Sequence, residues 1–310
     1  MSGLPTVPVH AIDAQPDAPQ WLIRDLWSAA AVGVIGGLPK SCKSWFGLDL
    51  AVSVASCTAA LDRFEVLTPG PTLVYLAEDS LPRVRERVAH LCRHRSLDLA
   101  ALDLHVVTAE SLRLDRDRDQ HALDDTLGAL RPALLLLDPL VRLHRLDENS
   151  AADIAALLGF LRELNRRHQV ALILVHHLAK RPRRNLGQAL RGSSDLHAWT
   201  DSACYLARRG DGRLLLSVEH RSAPAPDPVL LRLHGGGHQP LALRLDGPVA
   251  APPSLAEAVR AALQEAAVPL SRTALRQRLR VNNSRLGDAL LELEQQGLAV
   301  RDRHGWRLPH

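Results

Sequence analysis

Residues 31–45, AVGVIGGLPKSCKSW, constrain the fold more than any other stretch of the chain. Ala31 to Ile35 is a short apolar run, Gly36 and Gly37 close it, and a helical pattern runs from Lys43 through Ala55. A buried strand that passes through a glycine-bearing loop into a helix is the opening unit of a parallel α/β sheet. Aligned on G-x-x-x-x-G-K-[ST], the loop reads Gly37, Leu38, Pro39, Lys40, Ser41, Cys42, Lys43, Ser44. Backbone N–H groups at such a helix start cradle phosphates, Lys43 is placed to reach the β- and γ-phosphate oxygens, and the Ser44 hydroxyl to ligate Mg²⁺. One position departs from the pattern. Cys42 stands where glycine normally gives backbone freedom and close approach. A helix N-terminus lowers a thiol pKa, the setting of a redox sensor; a small side chain standing in for glycine is the simpler reading.

The usage of basic residues adds weight to the loop. Of 38 lysines and arginines only three are lysine, namely Lys40, Lys43 and Lys180, and two of those fall inside the loop. Where arginine has replaced lysine almost everywhere, a surviving lysine marks a place that needs a compact ammonium rather than a planar fork. The chain has 310 residues, 46% of them hydrophobic, enough for one large domain and a small one. No run approaches the roughly 18 apolar residues of a membrane span, and the first residues lack the layout of a signal peptide. The expectation is a cytoplasmic protein without a membrane partner. Cys42, Cys57, Cys92 and Cys204 form no CxxC pair, so they suggest neither zinc nor a disulfide framework. The net charge of +4 and pI near 9.2 permit a nucleic-acid partner.

Three further apolar runs end in polar chemistry. RPALLLLDPL places Asp138 after Ala133 to Leu137; Thr72 to Leu76 leads into Ala77, Glu78 and Asp79; Val170 to Val175 leads into His176 and His177. Runs this apolar read as central parallel strands. Ligands of such sheets bind at the carboxyl ends of the strands, so one composite site there is expected. Asp138 would hold Mg²⁺ through water.

The series WLI (Trp21 to Ile23), GLPKSCKSWFGLDLA, YLAED, LLLLDPLVRLHRLDEN, LVHHLAK, ALRGSSD and VEHRSAPAPD resembles, in order and spacing, the RepA-like branch of RecA/DnaB-type ATPases, the plasmid-replication hexameric helicases and their relatives. The resemblance spans about Trp21 to Asp227. It implies a RecA-like core, ATP and Mg²⁺ as cofactors, and assembly with copies of the same chain, as a hexamer, on DNA. It further implies that Glu78 activates the attacking water, that His177 senses the γ-phosphate, and that Asp147, Glu148 and Asn149 lie near the ring interface. Arg221 would be the arginine finger supplied to a neighbouring subunit's ATP. His220 stands where the related ring helicases commonly carry lysine.

After the histidine strand, Lys180, Arg181, Arg183 and Arg184 form a basic run next to Pro182 and ahead of Gly187, suited to tracking the phosphates of single-stranded DNA. The matching loop of RecA-like rings lines the central channel. A solvated surface loop is the bland alternative. The stretch GPVAAPPS, Gly247 to Ser254, marks a boundary. The expected organisation is an N-terminal extension over 1–20, a RecA-like ATPase domain over 21–246, a linker over 247–254 and a small domain over 255–310. Ser254 to Glu257 reads as a capping box, Ser271 as a second cap, and Leu286, Leu290 and Leu293 share one face of a third helix that Gly297 terminates. LAVRD and WRL then pair as a hairpin, which completes a winged helix-turn-helix. Arg276, Arg280, Asn283, Arg285 and Arg303 are its expected duplex DNA contacts; a protein-docking module is the competing use. The favoured function is an ATP-hydrolysing ring motor on DNA. The alternative is a nucleotide-switched DNA-binding regulator, or a partition or replication accessory factor, that does not unwind.

Overall fold

Four consecutive leucines, Leu134 to Leu137, are wholly buried, a pattern that suits a strand covered on both faces. The computed structural model describes residues 6–11, 20–146, 151–177, 194–236, 239–247, 255–266, 268–279, 281, 283–302 and 305–309. The chain divides into two units, Met1–Pro248 and Val249–His310.

In the first unit a small antiparallel pair, β1 (Trp21–Ile23) and β2 (Trp27–Ser28), precedes the main sheet. The chain then runs through β3 (Val32–Gly37), α1 (Lys43–Ser56), β4 (Thr72–Leu76), α2 (Leu81–His94), β5 (Leu104–Val106), α3 (Asp117–Leu130) and β6 (Leu134–Asp138). It continues with α4 (Ala151–His168), β7 (Ala171–His177), α5 (Ser194–Trp199), β8 (Ser202–Arg208), β9 (Leu214–His220), β10 (Val229–Gly236) and β11 (Gln239–Leu245). The nine strands lie in the order β11-β10-β9-β8-β3-β7-β6-β4-β5. From β8 to β5 the neighbours are parallel; β9, β10 and β11 extend the sheet antiparallel.

Side chains alternate between two cores, one on each face. Ile35, Val74, Leu134, Leu136 and Ile173 pack with α1 and α2 residues such as Leu48, Val52, Val84 and Leu91. Val32, Val34, Leu135, Leu137 and Leu172 pack with Leu123 and Leu127 of α3 and Leu157 and Leu161 of α4. This is the α/β architecture read from the sequence. The apolar runs end slightly later than expected: Gly36 and Gly37 belong to β3, Asp138 to β6, and His176 and His177 to β7, because their backbones still pair with neighbours.

A buried ion pair fixes the helix that follows the loop. Arg95, just past α2, donates from Nη2 to Asp49 Oδ1 of α1 at 2.6 Å, and Asp49 Oδ2 accepts the Leu61 N–H at 3.0 Å. Their side chains are 4% and 1% exposed. Burial pushes the Asp49 carboxyl up, and Arg95 is the main opposing influence.

The second unit holds α6 (Leu255–Gln264), α7 (Arg272–Leu279), α8 (Asn283–Gln295), β12 (Val300–Asp302) and β13 (Gly305–Arg307). Val259, Leu263, Leu275, Leu286, Leu290, Leu293 and Trp306 form its own core. Ser271 Oγ accepts the Ala274 N–H at 3.1 Å, the cap expected for α7, and Gly297 takes a positive φ of 68° beyond α8. Leu270 and Trp306 exchange two backbone hydrogen bonds of 2.9 Å, which tie the approach to α7 onto the β12–β13 hairpin.

Arg95→Ala would strand a buried carboxylate and is expected to destabilise the protein by about 3–5 kcal/mol, read by urea unfolding. A loss under about 1 kcal/mol would show that the pair does not brace α1.

Candidate nucleotide-binding site

The register of the sheet collects the polar strand ends. Gly37 of β3 lies beside His177 of β7, and Asp138 of β6 lies beside Leu76 of β4. The Ala77 N–H then donates to the Asp138 carbonyl at 2.8 Å, so Glu78 follows directly on that edge. Four neighbouring strands thus end in the phosphate-loop glycine, a histidine, an aspartate and the peptide of Glu78.

The loop between β3 and α1 is tightly wound. Lys40 and Cys42 adopt positive φ values of 64° and 61°. A Cβ at Gly37 would lie 2.4 Å from Ser41 Oγ and 2.7 Å from the Leu206 carbonyl oxygen, so only glycine fits. Cys42 is the N-cap of α1 in the left-handed region, which explains why the motif carries glycine there. The Cys42 thiol is pushed up by burial, against the pull of Arg208, Lys43 and Arg87. That direction corrects the lowered pKa anticipated for a redox sensor: desolvation outweighs the helix terminus and the nearby cations.

Lys43 is 6% exposed and donates from Nζ to the carbonyls of Gly37 at 3.0 Å and Leu38 at 2.9 Å. Burial lowers its pKa, while Asp138, Cys42 and Glu78 raise it. Asp138 is raised to about 6 by burial, with Asp79 and Glu78 adding to the rise and the Ser44 hydroxyl and Lys43 opposing it. Its Oδ2 atom and the Ser41 hydroxyl are buried without a hydrogen-bond partner. An orphaned carboxylate oxygen beside a serine hydroxyl and a phosphate loop fits Mg²⁺, a hard cation that keeps water and phosphate oxygens as ligands. Among the described residues no group of three or more His, Cys, Asp or Glu could hold a metal.

Glu78 is about half exposed and pairs with Arg142 Nε at 2.9 Å. Both line a polar cavity of about 320 Å³ with Tyr75, Ser111 and Arg113. Another cavity, about 800 Å³, lies between the β5 edge and α3 and includes none of Gly37, Glu78, Asp138 and His177; the chemistry, not the size, locates the site. Arg221 is elsewhere. It follows β9, whose His220 opposes Ser202 at the start of β8, and Ser202 lies beside Gly33. Arg221 therefore sits at the opposite end of the sheet from Gly37, four residues or roughly 13 Å away along β3, where it pairs with Asp201 at 3.3 Å. His220 packs edge-on against Trp21 at 4.8 Å and donates from Nε2 to the Asp25 carbonyl at 3.2 Å, with Nδ1 facing the Ser202 hydroxyl at 3.1 Å. Burial lowers its pKa, so it is a neutral packing residue rather than a substitute cation.

Asp147, Glu148, Asn149, Arg181, Arg183, Arg184, Arg280 and Arg303, and the side chain of Arg285, lie outside the described residues. Arg276 and Asn283 are exposed on α7 and at the start of α8. Three contacts escaped the sequence: Arg142 on Glu78, Arg208 donating to the Lys40 carbonyl at 2.8 Å, and Arg87 on Asp79. Only the last had a signal, since Asp79, Arg83 and Arg87 recur at helical spacing.

The strand that carries the loop, β3, has the histidine strand β7 beside it and the carboxylate strand β6 beyond that, the arrangement of a P-loop domain with a RecA-like fold. The solved structures agree on the fold: the crystal structure of the RadB recombinase matches with a TM-score of 0.50 and 16% identity, covering 66% of this chain and 88% of that one. The family described as an AAA domain, AAA_25, matches residues 1–183, and the chain belongs to it. No curated protein matches.

Cys42→Gly is expected to stabilise the protein by roughly 1 kcal/mol, the scale of left-handed strain, in urea unfolding, whereas Cys42→Ala, which keeps a Cβ, gains nothing. Equal gains from both would refute the backbone explanation. Folded Asp138 binds a proton more readily than the unfolded chain, so without ligand it makes stability fall as pH rises from its ordinary value of 3.8 through about 6. Asp138→Asn should therefore raise stability at about pH 7.5 by on the order of 1–3 kcal/mol, a gain that shrinks towards about pH 5. Thermal melts across that range check it; a gain that does not vary with pH would contradict the assignment.

Proposed function

We propose that the chain is an ATP-hydrolysing, homo-oligomeric ring motor on DNA, resembling the RepA-type hexameric replicative helicases. The observation that supports this best is the division of the site: Lys43, Ser44, Asp138, Glu78 and His177 belong to one end of the sheet, and Arg221 to the other. One chain then offers half a site at each end, and a ring of copies completes them.

In this reading Lys43 and the loop amides hold the phosphates, and Ser44, with Asp138 through water, holds Mg²⁺. Glu78 orients and deprotonates the attacking water, His177 contacts the γ-phosphate, and Arg221 from a neighbouring subunit stabilises the developing charge. Glu78 has to leave Arg142 to do so. Arg181, Arg183 and Arg184 grip single-stranded DNA. The C-terminal unit acts as a winged helix that contacts duplex DNA through Arg276, Arg280, Asn283, Arg285 and Arg303. Arg276 is exposed, whereas its neighbours Arg272 and Arg278 are engaged by the Asn283 carbonyl at 2.7 Å and by Glu265 at 2.5 Å.

Steady-state ATP hydrolysis with single-stranded and with duplex DNA tests the reading. Stimulation by single strands is expected; stimulation by duplex alone would favour a regulator that does not unwind. Lys43→Ala and Arg221→Ala should each abolish turnover, the latter by about 10³-fold or more while nucleotide still binds. Mixed Lys43→Ala and Arg221→Ala subunits should recover part of the activity, since intact halves meet at some interfaces. No recovery under demonstrated subunit exchange would contradict the trans role of Arg221.

A further inference from the structure

The peptide that carries Glu78 is fastened on both sides. Before it, the Ala77 N–H is tied to the Asp138 carbonyl at 2.8 Å. After it, Asp79 receives both arms of the Arg87 guanidinium, Nη1 to Oδ2 at 2.5 Å and Nη2 to Oδ1 at 3.0 Å. The two side chains are only 17% and 14% exposed. A shielded bidentate pair is directional as well as attractive, because both N–H bonds must stay parallel to both oxygens. Arg83 reaches the same carboxylate at 4.0 Å and is 67% exposed.

Arg87 has a second contact. Its guanidinium carbon lies 5.7 Å from the centre of the Trp45 ring, and Trp45 sits in the first turn of α1, directly after Ser44. The His90 ring lies against the same indole in an edge arrangement, 6.4 Å between ring centres. Arg87 thus links the segment after β4 to the helix that begins with the phosphate-gripping lysine.

We infer that Arg87 is a positioning residue for ATP hydrolysis: through Asp79 and Trp45 it sets the distance between Glu78 and the phosphate loop. The inference rests on the reading of Glu78 as the water-orienting carboxylate. Misplacing such a group by about 1 Å costs on the order of 10²-fold in rate, whereas nucleotide binding depends on the loop itself. Lysine cannot replace Arg87, since an ammonium offers no planar fork to Asp79.

The test is steady-state ATP hydrolysis by the full chain, with nucleotide binding and thermal unfolding measured on the same preparations. Arg87→Ala should lower kcat by roughly 10- to 100-fold with KM for ATP within about threefold of the parent. Arg87→Lys should lower kcat too, and it carries the decision if the alanine variant does not fold. Asp79→Ala combined with Arg87→Ala should be no worse than the worse single variant, the signature of one shared interaction. Arg83→Ala should leave both constants unchanged. A folded Arg87→Lys variant with the parental kcat, or a rise in KM with kcat preserved, would overturn the inference. Glu78→Gln separates the two layers. If it is inactive while the Arg87 variants are normal, only the present inference falls; if it turns over normally, the Glu78 reading falls and the inference with it.

Discussion

The site turns on a buried ammonium. Lys43 is almost wholly enclosed, and its charge is satisfied by two backbone carbonyls, those of Gly37 and Leu38. Burying an unpaired cation is prohibitively costly, so the loop must curl back over the helix start, through left-handed backbone at Lys40 and Cys42 and a glycine at position 37 where no Cβ fits. Carbonyl dipoles are weaker partners than phosphate oxygens. The loop is therefore held in a shape that an anion can take over, with Asp138 Oδ2 and Ser41 Oγ left as further buried polar atoms in want of partners.

The sheet turns that local constraint into a site. Parallel strands need helices on both faces, and this sends the carboxyl ends of β3, β7, β6 and β4 to one edge in spatial order. The same geometry places Arg221 at the far edge, because β9 runs back antiparallel to β8. The two ends of the sheet thus carry different chemistry, and the Asp49–Arg95 pair holds the intervening helix in register with α2.

Much of this was legible in the sequence because the relevant signals are local. The leucines before Asp138, the run before Glu78 and the run before the two histidines each announce a strand buried on both faces, and the loop motif marks a fourth, Ala31 to Ile35, that leads into a helix. Glycine's backbone freedom at the sixth loop position was readable from the motif; that the conformation there is left-handed emerged only from the φ of Cys42. Contacts made across the fold left little trace. Arg142 reaches Glu78 over a separation of 64 residues, and Arg208 reaches Lys40 over 168; neither spacing has a periodicity to betray it. His220 was readable as a departure from the lysine of related rings, but its role against Trp21 and Asp25 depends on β1 and β2 folding over the start of β8.

The account stands on the claim that Lys43, Ser44 and Asp138 together form a Mg²⁺-nucleotide site. Calorimetric titration of the full chain with a slowly hydrolysed ATP analogue at about pH 7.5, with Mg²⁺ and again with EDTA, tests it most directly. The account predicts saturable binding with Kd below about 1 mM, weakened at least roughly tenfold when Mg²⁺ is withdrawn. No binding up to that concentration, or the same affinity with and without the cation, would contradict it.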